Sequence, residues 1–260
     1  NWDRGTRRTC AIVSLAACDI DGDGQQEILA GCADRHLYAF DAGGTLLWRT
    51  GCQWGPPVCI GVTRMKEKEG VHVLAGMANP AIHACIRVHD AEGVCVQTLS
   101  RHDVVCWSIP SWATCLRTAE LDEDGWDEVI CGMDTNHRQL IVYRRDGEIL
   151  WDADLGSPVS AVESARGRVF AGASNGYVQC FNGDGERLWS RFLVAPVAGL
   201  APTSTGGCVA ALEDGIVAGL DAGGNIKTMG RGGERTTATV WTDVGLVVGR
   251  EDGAVERYEE

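Results

Sequence analysis

The stretch EILAGCADRHLYAFDAGGTLLW, residues 27–48, reads as three short strands cut by two turns. An apolar run closes on the small residue Gly31, a turn follows, ADRHLYAF makes a second run, and DAGG turns the chain into an apolar pair ending at Trp48. Runs this short, rich in β-branched and aromatic residues and bounded by Gly and Asp, are strands joined by hairpin turns.

The pattern recurs through the chain. The aligned apolar run closes at Gly31, Gly76, Gly132, Gly172, Ala211 and Gly249, at intervals of 45, 56, 40, 39 and 38 residues. A further strand precedes each of these, as in AIVSLAACD, VCIGVTR and VSAVESA, so each unit holds four. Four-stranded antiparallel units with a period near 40 and no helical periodicity between them predict an all-β, six-bladed β-propeller. The expected blades are 11–51, 57–99, 104–154, 157–193, 196–229 and 235–260 plus 1–6, all in one domain, 1–260. The last unit stops after its third strand, and Trp2 precedes a first strand much as Trp48, Trp151 and Trp189 do. The N-terminal segment is therefore expected to supply the missing fourth strand and close the ring, protecting open strand edges. The same periodicity makes these four tryptophans packing residues between blades rather than ligand contacts.

LYAFDAGGTLLW resembles the quinoprotein-like propeller repeat of pyrroloquinoline quinone (PQQ) dehydrogenases and of the outer-membrane assembly lipoprotein of that fold. DIDGDGQQEI, residues 19–28, resembles the FG-GAP or VCBS repeat of integrin α-subunits and bacterial surface proteins. Both resemblances imply a propeller, a fold that carries many unrelated activities. PQQ itself is not expected, because the dehydrogenases carry an adjacent cysteine pair that this chain lacks.

Asp19, Asp21, Asp23 and Glu27 stand at positions one, three, five and nine of the first such loop, and Gln25 at seven offers its carbonyl. Alternating carboxylates on a glycine-bearing loop form an oxygen shell for a hard cation, and without one they repel. The FG-GAP resemblance implies that these positions ligate Ca²⁺. Glu120, Asp122, Asp124 and Glu128 repeat the frame, with Trp126 at position seven. Calcium is thus expected in the first blade and, as a second site, in the third, bracing the structure rather than reacting.

In a propeller, loops joining successive blades share a face with the turns between second and third strands. That face collects Trp54, Trp107, Trp112, His137, Arg138 and Arg8, with Arg7, Arg35, His36, His102, Asp103, Asp134 and Asn136 beside them. Aromatics among cationic and polar groups suit a carbohydrate, a peptide or a protein surface. The alternative is a carbohydrate-active enzyme, a polysaccharide lyase or glycosidase, with its site on this face. No GxSxG, P-loop or HExxH motif occurs, so no catalytic constellation is assigned.

Composition narrows the partners. With 36 acids against 23 bases the formal net charge is -13, which excludes nucleic acid as the expected partner. No apolar run is long enough to insert in a membrane. Most of the twelve cysteines stand singly among apolar residues, as free buried thiols do, and no CxxC or zinc-ligand spacing occurs. Dispersed thiols fit a reducing compartment and calcium loops fit export; the reading leans to an extracellular or periplasmic, monomeric domain.

Overall fold

The structure, a computed structural model, describes residues 10–52, 55–64, 70–79, 86–99, 111–134, 138–242 and 245–258. Among them are 23 strands and no helix. The first unit is β1 (Ile12–Cys18), β2 (Glu27–Cys32), β3 (His36–Phe40) and β4 (Leu46–Gly51), hydrogen-bonded in that order. The second is β5 (Pro57–Arg64), β6 (Val71–Asn79), β7 (Ile86–His89) and β8 (Cys95–Leu99). The third is β9 (Ser111–Ala119), β10 (Glu128–Asp134), β11 (Leu140–Tyr143) and β12 (Ile149–Ala153). The fourth is β13 (Val159–Ala165), β14 (Arg168–Ala173), β15 (Tyr177–Asn182) and β16 (Arg187–Phe192). The fifth is β17 (Val197–Pro202), β18 (Cys208–Leu212), β19 (Ile216–Leu220) and β20 (Ile226–Arg231), and β21 (Thr236–Thr242), β22 (Gly245–Arg250) and β23 (Val255–Tyr258) make a three-stranded sixth.

These meanders form five sheets, because Ala78 pairs with Trp112 and Asn79 with Ser111. That two-residue bridge fuses the second and third units into one eight-stranded sheet. The sequence pattern, which reports strands and turns within a unit, carries no signal for a pairing between units.

The core lies between successive units. One apolar cluster joins Leu29 and Leu37 of the first unit to Val73, Ala75 and Met77 of the second. Further clusters fill the next four junctions, with Leu74 and Leu116 in one, Val142 and Val169 in another, then Phe170 and Leu200, then Ala211 and Val248. A sheet covered on both faces needs apolar residues on both, so β10, β11 and β14 are almost continuously buried instead of alternating. Close approach explains the glycine late in the second strand of the fourth and third units: a Cβ on Gly172 would lie 2.4 Å from Val197 Cγ1, and one on Gly132 would lie 2.7 Å from Val159 Cγ1.

Each inner strand carries a register shift near its start. The extra residue re-aims its side chain at the next unit. Thr114 Oγ1 thus donates to the carbonyl of Val159, and Ser160 Oγ to that of Val197, both at 2.5 Å. At the outer strand the tryptophans make the equivalent tie. Trp48 Nε1 donates to Ala91 O at 2.6 Å, Trp151 to Gly183 O at 2.7 Å and Trp189 to Ala222 O at 3.1 Å, each acceptor lying in the third-to-fourth-strand turn of the following unit.

Candidate functional site

The loop between β1 and β2 is closed by its own carboxylates. Asp19 accepts the backbone N–H of Gly22 at 2.6 Å on Oδ1 and that of Gly24 at 3.0 Å on Oδ2, and Asp23 accepts Gln25 N at 2.7 Å and Gln25 Nε2 at 3.1 Å. Both glycines sit at positive φ, 83° and 86°, which a side chain would strain. Glu27 is buried at the base of the loop, where Oε2 accepts the N–H of Ile20 at 2.9 Å. One carboxylate oxygen each from Asp19, Asp21 and Glu27 falls within 4.8 Å of the others. Asp23 stands outside this trio, with both oxygens engaged by Gln25.

The loop between β9 and β10 repeats the design. Glu120, Asp122 and Glu128 converge within the same 4.8 Å, Asp124 stands outside, and Glu128 Oε2 accepts the N–H of Leu121 at 2.8 Å. Burial pushes the Glu128 carboxyl up to about 7; the Leu121 N–H opposes the shift, and the charges of Asp122, Glu120 and Asp124 add to it. Glu120 Oε1 is buried with no hydrogen-bond partner among the described residues. Asp122 pairs with Arg144 Nε at 3.3 Å, and Asp124 pairs with Arg145, whose guanidinium also lies over the Trp126 ring. Both arginines come from the β11–β12 turn; Asp41 and Ala42 hold the matching places in the first unit. The first loop therefore receives no arginine from its own unit's turn, as the second does.

Both trios fit a hard divalent cation in donor chemistry, being all-oxygen and anionic, and the orphaned Glu120 oxygen is a ready ligand. Position nine was legible as an acid. Its second task, holding the loop closed through a backbone N–H, depends on burial that spacing does not reveal.

On the turn face, Trp112, the second residue of β9, has 44% of its surface exposed, and Asp134 ends β10, exposed, paired across from it. Arg138 is exposed, and its Nη1 meets Asp152 Oδ2 at 2.7 Å. Trp54, Trp107, His137 and Arg8, with Arg7, His102, Asp103 and Asn136, lie outside the described residues.

Strand register adds what composition could not. Gly31 pairs with Leu37 and Gly132 with Leu140, so Arg35 and Arg138 each stand two residues ahead of the strand residue that pairs with the small residue, as Gly176, Gly215 and Gly253 do in the last three units, although the turn of the third unit is two residues longer. That position is left-handed throughout, with φ of 69° at Arg35, 53° at Arg138 and 84° to 89° at the glycines. Beside Arg35, Asp34 accepts Tyr38 Oη–H on Oδ2 at 2.6 Å and the N–H of His36 on Oδ1 at 3.0 Å, and hydrogen bonding holds its carboxyl below the usual range despite partial burial. The Tyr38 hydroxyl is correspondingly pushed up to about 12, by its bond to Asp34 first and by burial second.

A cavity of about 100 Å³ opens beside the inner strands of the third to sixth units. Its one acidic side chain among the described residues, Glu163, is tied to Arg117, whose Nη2 lies 2.6 Å and Nε 2.8 Å from Oε1.

Comparison with known proteins follows this architecture. Residues 11–103 match the family model of the lambda-carrageenase β-propeller domain, and residues 126–250 match that of the outer membrane protein assembly factor BamB. The chain is a β-propeller protein of the PQQ-like repeat type. Among solved structures it resembles BBS1N from its complex with ARL6DN, at 14% identity and a TM-score of 0.75, over 96% of this chain and 81% of that one. It also resembles a chain of the mitotic checkpoint complex, at 13% identity and a TM-score of 0.76, over 98% of this chain and 77% of that one. No curated protein matches the sequence.

Proposed function

We propose that this propeller is a non-catalytic recognition module that binds an acidic protein or peptide segment on the face carrying Arg35, Arg138 and Trp112. The observation that carries the reading is the pair of arginines held in left-handed backbone just ahead of the third strand, where glycine stands in the last three units. An L-residue there costs of order 1 kcal/mol, and a strained cationic side chain kept twice on one face is accounted for by what it contacts. The similar solved chains come from complexes with proteins, which supports a protein partner over a carbohydrate. The carbohydrate-active alternative draws on the carrageenase-type match, but hydrolysis of that kind needs two carboxyl groups about 5 to 10 Å apart around the substrate. Among the described residues the inner cavity offers only Glu163, already paired with Arg117.

The deciding experiment is selection of peptides from a random display library on the full chain, beside incubation with sulfated and neutral polysaccharides. Enrichment of acidic peptides that no longer bind an R35G/R138G variant supports the reading. New chain ends in a polysaccharide, with no peptide enriched, overturn it.

The propeller ring is read as six-bladed, closed by the N-terminal segment, and calcium in the first and third blades as bracing it. Three unmatched half-contacts support closure. Gly93, Gly185 and Gly224 are each covered by a tryptophan of the preceding unit, whereas a Cβ on Gly44 of the first unit would meet nothing within 4 Å among the described residues. Thr237 Oγ1 donates to Gly249 O at 3.2 Å as Ser160 does to Gly172 O, and Ser160 alone also reaches a following unit. Apolar Ile12 and Leu15 of the first unit and Val240 and Val255 of the last are exposed. Trp2, which the sequence repeat aligns with Trp48, lies outside the described residues. Calcium loops favour an exported setting for the module.

A further inference from the structure

Antiparallel pairing of β1 with β2 brings together residues that sequence spacing keeps apart. Ala33 N donates to Ala11 O at 2.9 Å, and next to this bond stand Cys10, just ahead of β1, and Cys32, the last residue of β2. One sulfur from each and a carboxylate oxygen of Asp34 lie within 4.8 Å of one another. Cys32 is buried and Cys10 is exposed, so the group opens to solvent on one side. Among the described residues no other cysteine belongs to such a group.

From this geometry we infer that Cys10, Cys32 and Asp34 form a site for one thiophilic divalent cation of the zinc class. Two sulfurs and one carboxylate are three of the four ligands a tetrahedral ion takes. The fourth place falls to water or to the imidazole of His36, whose Nδ1 lies 3.4 Å from Asp34 Oδ1. Asp34 is also oriented as metal-bound carboxylates are, since Tyr38 Oη–H and the His36 N–H fix its two oxygens. The two acidic loops contain no sulfur or nitrogen donor, so donor softness sorts the cations: calcium to the loops, the zinc-class ion to the thiols. Binding displaces one proton from each thiol, with no change of oxidation state. The inference rests on the strand pairing alone, independent of the recognition reading.

The test is a Co²⁺ titration of the reduced, metal-free full chain. The expected result is one equivalent bound with a sulfur-to-cobalt charge-transfer band, bleached by equimolar Zn²⁺ and unaffected by millimolar Ca²⁺. C10S, a change at an exposed residue, should abolish the band while leaving the far-ultraviolet dichroism intact. D34N should weaken binding at least tenfold. Absence of a thiolate band in the reduced protein, or an unchanged band in C10S, overturns the proposal. So does a Cys10–Cys32 disulfide that persists after metal loading under reducing conditions.

Discussion

Arg35 and Arg138 stand two units apart, each in left-handed backbone just ahead of the third strand, with φ of 69° and 53°, where Gly176, Gly215 and Gly253 stand in the last three units. Glycine relieves the strain at such a position. Arg35→Gly and Arg138→Gly are therefore expected to raise the unfolding free energy by about 0.5 to 1 kcal/mol each, Arg138 by less because its ion pair with Asp152 is lost. Chemical denaturation of the single variants measures this directly. Higher stability combined with weaker binding of acidic peptide would identify the arginines as residues kept for contact. Lower stability in both would return them to the scaffold.

The tryptophan ties predict a graded response at one junction. Trp151 is nearly buried, and its Nε1 donates to Gly183 O across the third and fourth units. Trp151→Phe keeps much of the ring and loses the hydrogen bond, for an expected cost of about 1 to 2 kcal/mol. Trp151→Ala also empties the space over Gly185 and should cost about 3 to 5 kcal/mol. Equal losses in the two variants would mean that the hydrogen bond, not the packing, holds the junction.

How much of this was legible beforehand depends on how far apart the partners lie. The strands, their hairpin turns and the repeat were readable because each unit states them again within about 40 residues. The bridge from Ala78 to Trp112 was not, since it joins backbones in different units and leaves no side-chain pattern. Arg35 and Arg138 were picked out for their charge; their shared left-handed position emerged only from strand register. The thiol group escaped for a related reason. A search for local cysteine spacing passes over Cys10 and Cys32, which β-pairing brings together.

His89 gives a pH dependence of known sign. It is fully buried, and burial first, then the positive charge of Arg87, bring its pKa down to about 4 from an ordinary 6.5. Protonation therefore favours the unfolded chain, so stability is full above about pH 6.5 and falls as pH drops toward 4. Between pH 7 and pH 5 the expected loss from this one group is about 1 to 2 kcal/mol, at about 1.4 kcal/mol per pKa unit. The difference between His89→Leu and the unmodified chain should show that slope in urea titrations. A difference flat across this range would mean that the ring is solvated in the folded state.

The two acidic loops should respond differently to calcium, and the β11–β12 turn decides how. In the first loop Asp19, Asp21 and Glu27 converge with no arginine from the adjoining turn, so a cation relieves the repulsion in full. In the second, Arg144 and Arg145 already pair with Asp122 and Asp124, and the ion must share those carboxylates. Thermal unfolding in EDTA and in millimolar Ca²⁺ is expected to show a calcium-dependent rise in midpoint. D21A/D23A should remove most of that rise and E120Q/D122N little of it. In R144A/R145A the second loop loses its internal cations; the midpoint in EDTA should fall, and the calcium-dependent rise should exceed that of the unmodified chain. No rise in the unmodified chain would reduce both loops to self-capped acidic turns, held by Glu27 on Ile20 and Glu128 on Leu121.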